Sequence, residues 1–183
     1  MRQLDRIGAR QQAGAMQPQP QPHHVTRHEA IVLPEWIDSN GHMNLAYYVV
    51  VFDHAGDGLF DYLDIGMPFR ERSGYSSFVA ETHTRYEREV KLGDRLCVFS
   101  HLLGADAKRL HVFLEMFHAE DGFRAATQEQ MCLHINLAAR RVAALPDDKV
   151  AQLRTVAARR GDTPPPPEVG RGIAMPAARS TAP

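Results

Sequence analysis

Residues 44–63 carry apolar side chains at Leu45, Tyr48, Phe52, Ala55, Leu59 and Tyr62, stepping by three and four. That spacing places them on one face of a long helix. Val49, Val50, Val51, Phe60 and Leu63 widen the face beyond what a surface helix needs, so it is expected to be wrapped on more than one side. The β-branched run at 49–51 favours strand locally, but the periodicity around it outweighs that preference because packing overrides propensity. Gly66 and Pro68 are expected to end the helix.

The chain around this helix reads as strand. A first strand is expected over 28–33, before Pro34. After the helix come strands over 78–90, 96–103, 110–118 and 123–137, with a short one over 140–144. The turn signals between them are Gly93-Asp94, 104–107 and Asp121-Gly122. Pro146-Asp147 opens a last helix that turns Val150, Leu153 and Val156 inward. Consecutive strands joined by short turns make an antiparallel sheet. A single very apolar helix has one good place to go, against the concave side of that sheet. The expected fold is therefore α+β, a hotdog: an antiparallel sheet wrapped around a long central helix. A helix docked at the end of a sheet would give much the same pattern.

Three zones follow. Residues 1–26 hold the run QPQPQP and read as a disordered Gln/Pro-rich tail, 27–160 as the folded domain, and 161–183, with TPPPPEVG, as a Pro-rich C-terminal tail. Arg2, Arg6 and Arg10 faintly suggest a transit peptide, Met16 is an alternative start, and the first residues lack the apolar stretch of a secretory signal. The formal net charge of -1 argues against a nucleic-acid-binding chain. No apolar run has the length of a membrane span. Cys97 and Cys132 lie in apolar runs without zinc-type spacing, which fits two reduced core residues and a cytoplasmic location.

The informative segment is Trp36-Ile37-Asp38-Ser39-Asn40-Gly41-His42-Met43-Asn44. It places an acid three residues before a glycine, directly ahead of a buried helix. Gly41 allows an unusual backbone angle and close approach of a ligand. The first helical turn offers unpaired N–H groups at the positive end of the helix dipole. A thioester carbonyl held there would be polarised, and a carboxylate at Asp38 could attack its carbon or activate a water. Asp-Ser-Asn-Gly is also good turn chemistry, and Asp38 could simply close an Asx turn.

Asp38 to Asn44, followed by the helix bearing Tyr47, Tyr48 and Phe52, resembles the 4-hydroxybenzoyl-CoA thioesterase-like hotdog family, over about residues 28–147. The resemblance implies thioester hydrolysis on acyl-CoA, with Asp38 as the catalytic acid and the Leu45 backbone amide as the main oxyanion donor. Gly41 belongs to the same motif. It implies no cofactor beyond the CoA of the substrate. His111, His118 and His134 lie on strands too scattered to suggest a metal. It also implies assembly as a homodimer or homotetramer with pockets at the subunit boundary. Trp36 stands where many members carry a further acid. His42 is either a partner of the thioester or water, or a packing residue at the helix entry; Asn44 reads as an N-cap more than as a catalyst.

Residues 34–44, 52–55, 107–111 and 170–173 are similar to betainyl-CoA thioesterases of carnitine breakdown. A trimethylammonium head is met by aromatic faces and a nearby acid. Candidates for that role are Trp36, Tyr47, Tyr48, Phe78 and Tyr86, with Glu35 or Glu81 for the charge, and Asn44 is a further candidate substrate contact. Candidates for the CoA phosphates are Arg85, Arg88, Lys91, Lys108 and Arg109. A broad short- to medium-chain acyl-CoA or acyl-carrier thioesterase, and a non-catalytic acyl-CoA-binding module, are the competing readings.

Overall fold

A computed structural model describes residues 18–175. Helix α1 (Leu45–Tyr62) buries Tyr48, Val51, Phe52, Ala55, Leu59 and Phe60, so the periodicity prevails over the valine run. Its start is set by Asn44, whose side-chain oxygen accepts the Ala46 amide at 3.0 Å. Gly66 and Pro68 do more than end α1. A second helix, α2 (Met67–Ser73), begins at once, with Pro68 in the first turn, where a missing N–H leaves no intrahelical bond unmade. Asp61 Oδ1 accepts the Met67 amide at 3.1 Å. A Cβ on Gly66 would run into the side chain and amide of Asp61.

The strands are β1 (Thr26–Ile31), β2 (Tyr75–Tyr86), β3 (Arg95–Ala105), β4 (Arg109–His118), β5 (Arg124–Asn136) and the two-residue β6 (Arg141–Val142). All pair antiparallel, in the order β1-β3-β4-β5-β2, with β6 on β5. The expected hairpin between the second and third strands is absent. The Gly93-Asp94 turn instead ends a crossing, 87–94, that carries the chain from one sheet edge to the other. There Val32 and Asp94 pair (N to O 3.0 Å), as do Gly93 and Val32 (3.0 Å). This crossing lets the sheet close around both flanks of α1, which a simple meander would not do. The β3–β4 turn also lies later than its Gly-Ala signal, where Asp106 Oδ1 accepts the Lys108 and Arg109 amides, each at 2.8 Å.

Side-chain alternation divides the sheet. Leu96, Val98 and Leu102 of β3, Leu110, Val112, Leu114 and Met116 of β4, and Ala126 and Cys132 of β5 join the core around α1. Between them run buried polar groups: Gln128 Nε2 donates to Thr84 Oγ1 (2.8 Å) and Gln130 Nε2 to Gln128 Oε1 (2.6 Å). Helix α3 (Asp147–Ala158) adds Val150, Leu153 and Val156, as the sequence suggested. Cys97 and Cys132 are free and buried, and burial pushes the Cys132 thiol up to about 12. Among the described residues no helix is long and apolar enough to cross a membrane.

The opposite sheet face is covered in part by the stretches read as tails. Val25 donates to Ser100 O (2.8 Å), and the His24 ring stacks on Phe99 at 4.4 Å. At the other end, Gly170 donates its amide to Glu129 Oε2 (2.8 Å). Arg124 ties this face together, donating to Glu87 (2.9 Å, twice), to Glu115 (2.8 Å) and to Glu168. Burial opposes the charge on Arg124, but the three carboxylates outweigh it and raise its pKa. Removing the cation would leave Glu87, Glu115 and Glu168 facing one another with little water. Arg124→Met is expected to cost about 3 kcal/mol of unfolding free energy, read from urea denaturation; a loss no larger than that of an exposed ion pair would contradict this role.

Candidate active site

The segment ahead of α1 forms a small closed loop. Ile37 and Met43 make an isolated antiparallel bridge. Asp38 donates to His42 O (3.1 Å), Gly41 to Asp38 O (3.0 Å) and Asn44 to Trp36 O (2.9 Å). Gly41 takes φ +80, the left-handed value such a turn needs. The loop is pinned from outside by Val90, whose carbonyl accepts the Met43 amide at 2.8 Å and whose amide donates to Tyr48 Oη at 3.3 Å. The result is an acid folded back against the start of a helix.

At that start, Asn44 occupies the Ala46 amide, and Tyr47 N bonds Asn44 O at 3.0 Å. Among the described residues the Leu45 amide has no hydrogen-bond partner. It is the donor left over for a ligand oxygen, with the positive end of α1 behind it. Asp38 Oδ1 accepts the Asn40 amide at 2.8 Å, so the Asx turn is real. It uses one carboxylate oxygen and leaves the other without a protein partner among the described residues. The turn therefore orients the acid without consuming it. His42 Nδ1 lies 3.4 Å from Met43 O and 4.0 Å from Asp38 Oδ1, a neighbour of the acid at longer than hydrogen-bond range.

Trp36 and Tyr47 stack with centroids 5.5 Å apart and planes 15° apart, making one aromatic wall beside the loop. Tyr48 is buried. Its ring meets Tyr86 edge-on at 5.2 Å, and burial raises its pKa, so it packs and holds Val90 in place. Tyr86 Oη in turn donates to Leu45 O at 3.3 Å, tying β2 to the helix start.

Of the other candidates, Phe78, Glu81, Lys108 and Arg109 lie on the far sheet face or in the β3–β4 turn, while Arg88 and Lys91 flank Val90, the anchor of the loop. A register shift between Val79 and Glu81 places Phe78 and Glu81 on the sheet face away from α1. Glu81 lines a groove there with His83, His111 and Glu129, about 240 Å³ in volume. Arg109 is paired with Asp106 (2.8 and 2.6 Å), and Lys108 lies in the same turn. The Arg88 guanidinium lies 3.8 Å over the Phe123 ring, and Lys91 pairs with Glu89 at 3.3 Å. Arg85 shares an open surface site with Tyr86 and Arg171.

Two features escaped the sequence reading. Val90 as the loop's anchor shows only once the 87–94 crossing is known. A groove of about 760 Å³ runs between β1 and α1, lined by His28, Ile31, Leu33, Trp36 and His54. His54 lies in the segment 52–55, which carried part of the resemblance, but nothing in its spacing pointed to a cavity.

Residues 32–153 match the thioesterase-like superfamily. This chain belongs to that family. A betainyl-CoA thioesterase of Pseudomonas aeruginosa is 38% identical over 155 residues, covering 85% of this chain and 98% of that protein. An L-carnitine dehydrogenase/betainyl-CoA thioesterase of Agrobacterium fabrum is 38% identical over 146 residues. Those residues are 80% of this chain but 30% of the Agrobacterium protein, so the chain spans under a third of that relative. A Staphylococcus aureus protein solved in complex with CoA superposes with a TM-score of 0.75 at 33% identity, covering 82% of this chain and 94% of that one. The hotdog fold and the thioester-hydrolase class expected from the sequence are both supported by these matches.

Asn44→Ala tests how far the helix start depends on its cap. The thioesterase is expected to lose about 1 kcal/mol of stability in urea denaturation, with the fold retained. An unchanged midpoint would mean that Asn44 does not set where α1 begins.

Proposed function

We propose that this acyl-CoA thioester hydrolase takes betainyl-CoA, releasing glycine betaine and CoA, with Asp38 as the reacting carboxylate. The observation that carries the substrate is the 38% identity along 98% of a curated betainyl-CoA thioesterase. The geometry agrees with it. The stacked Trp36 and Tyr47 present the kind of π surface that attracts a quaternary ammonium, which has no N–H to donate.

The thioester carbonyl oxygen is placed on the Leu45 amide, where charge developing on that oxygen is stabilised. With Asp38 as base, its free oxygen takes a proton from water while the water oxygen adds to the carbonyl carbon. Collapse then breaks the C–S bond, and the departing thiolate of CoA takes up the proton. With Asp38 as nucleophile, a mixed anhydride forms first, and water cleaves it in a second step. No cofactor takes part in either route; CoA enters and leaves as part of the substrate. His42, beside the acid, orients the water or the thioester.

A homodimer or homotetramer fits the exposed surface. β2 has a free edge along 12 residues, and Phe78, Val79, Leu45, Val49 and Val50 are left open to solvent around it and on α1. An unpaired apolar edge invites pairing with another copy. The Asp38 side chain is 22% exposed, and the groove beside Trp36 is not lined by it. A second copy would supply the missing wall of the pocket, and Phe78, Glu81, Arg85, Lys108 and Arg109 would reach substrate across that boundary, with Arg88 and Lys91 beside the loop's own anchor. The buried free thiols suit a reducing compartment such as the cytoplasm.

The deciding experiment is thiol release from a panel of acyl-CoA esters. Betainyl-CoA is expected to give a kcat/KM about 10²-fold above hexanoyl-CoA, on the scale that a buried cation–aromatic contact provides. Equal rates on both would point to a broad acyl-CoA thioesterase, and tight binding without thiol release to a binding module. Trp36→Ala is expected to raise KM for betainyl-CoA while leaving hexanoyl-CoA nearly unchanged; equal losses on the two would remove the aromatic wall from substrate selection. A single turnover in heavy-oxygen water tests the anhydride route, because water attack at the Asp38 carbonyl of an anhydride leaves label in Asp38, which a base never acquires.

A further inference from the structure

On the sheet face away from α1, two histidines from the N-terminal segment meet one from β3. His23 stacks on His101 at 4.9 Å, and His24 meets His101 edge-on at 4.6 Å. One ring nitrogen from each lies within 4.8 Å of the other two. No spacing in the sequence suggests this group, because His23 and His24 are far from His101 along the chain and come together only through the pairing of β1 with β3.

One of these nitrogens has no partner, and a second meets only a carboxylate. His101 is 1% exposed and its Nδ1 makes no hydrogen bond; the His24 side chain is 6% exposed, and its Nε2 makes no hydrogen bond but lies 3.6 Å from Glu115 Oε2. A buried ring nitrogen without a partner is uncommon and calls for an explanation. At His101 the other nitrogen is fixed: Nε2 lies 2.8 Å from Glu115 Oε2. A proton on Nε2 leaves a lone pair on the buried Nδ1. A carboxylate that holds a histidine in one tautomer is the usual support behind a metal ligand.

We propose that His23, His24 and His101 form a site for a borderline divalent transition ion, Zn²⁺ foremost, that clips the N-terminal segment onto the sheet. Three imidazoles suit Zn²⁺ in tetrahedral coordination, leaving a fourth position for solvent. Zinc–nitrogen bonds of about 2.0 Å require the ring nitrogens to draw in to about 3.3 Å of one another. His23, the least buried, has the most freedom to turn. The Gln21 amide donates to His24 Nδ1 at 2.7 Å, and this bond in an exposed turn must open, since ligation through Nε2 puts the proton on Nδ1. The charges nearby are mixed: Glu115 favours a cation, and Arg160 opposes one. The clip lies across the sheet from the Asp38 loop and takes no part in hydrolysis.

The test uses the full chain, freed of any affinity tag and stripped with a chelator, titrated calorimetrically with ZnCl₂ and separately with CoCl₂. The proposal expects one equivalent of Zn²⁺ bound at micromolar Kd or tighter, a visible Co²⁺ absorption of tetrahedral type, and a melting temperature raised by saturating Zn²⁺. The His23→Ala/His24→Ala double variant should bind at least about 100-fold more weakly, while His111→Ala, on the same face outside the cluster, binds as the parent does. Circular dichroism and retained thioester hydrolysis establish that the double variant is folded. Absence of saturable Zn²⁺ binding by the parent chain would overturn the proposal, as would undiminished binding by the folded double variant.

Discussion

A helix cannot satisfy its own opening amides. In this protein that constraint falls on the Leu45 amide, since Asn44 occupies Ala46 and, among the described residues, no carbonyl accepts from Leu45. Everything around it keeps an acid at that spot. The Ile37–Met43 bridge folds the loop back, the Asn44-to-Trp36 bond closes it, and Val90 holds it against the 87–94 crossing. An unpartnered amide and a carboxylate thus sit at the two ends of a short, cross-braced turn. The brace matters more than the turn residues, because a loop fixed at one end only would not hold a reacting group to within a fraction of an ångström.

Much of this was legible in the sequence because the local rules agree with the global fold. The three-and-four spacing of 45–62 gave α1 despite its valines, and Val150, Leu153 and Val156 gave the inner face of α3. The loop at 36–44 stood out because acid, glycine and helix start come together there. Its two readings, turn and catalyst, turn out to be compatible: Asp38 Oδ1 closes the turn, and the second oxygen is left over.

What was hidden depends on long-range pairing. Gly93-Asp94 is a good turn in either topology, so sequence could not tell a β2–β3 hairpin from a crossing to the far edge. The position of β2 beside β5 follows from closing the sheet around α1, which is a property of the whole chain. The same blindness affected Phe78 and Glu81. A one-residue register shift near Val79 decides which face each one takes. His23 and His24 read as tail residues for a similar reason: what holds them is a strand distant in sequence.

Apolar residues stay exposed along β2 and α1, and the Trp36–Tyr47 wall stands beside the loop; the proposed function assigns the first to a subunit boundary and the second to substrate selection. In that proposal both serve a single side chain, Asp38, that performs the chemistry. The direct measurement is the turnover number of Asp38→Asn on betainyl-CoA, beside circular dichroism and the parent chain. The amide keeps the size of the side chain and can still close the turn, but it can neither take a proton from water nor attack the carbonyl. A fall of about 10²- to 10⁴-fold with the fold intact is the predicted result; turnover within a few-fold of the parent would show that hydrolysis runs through some other group.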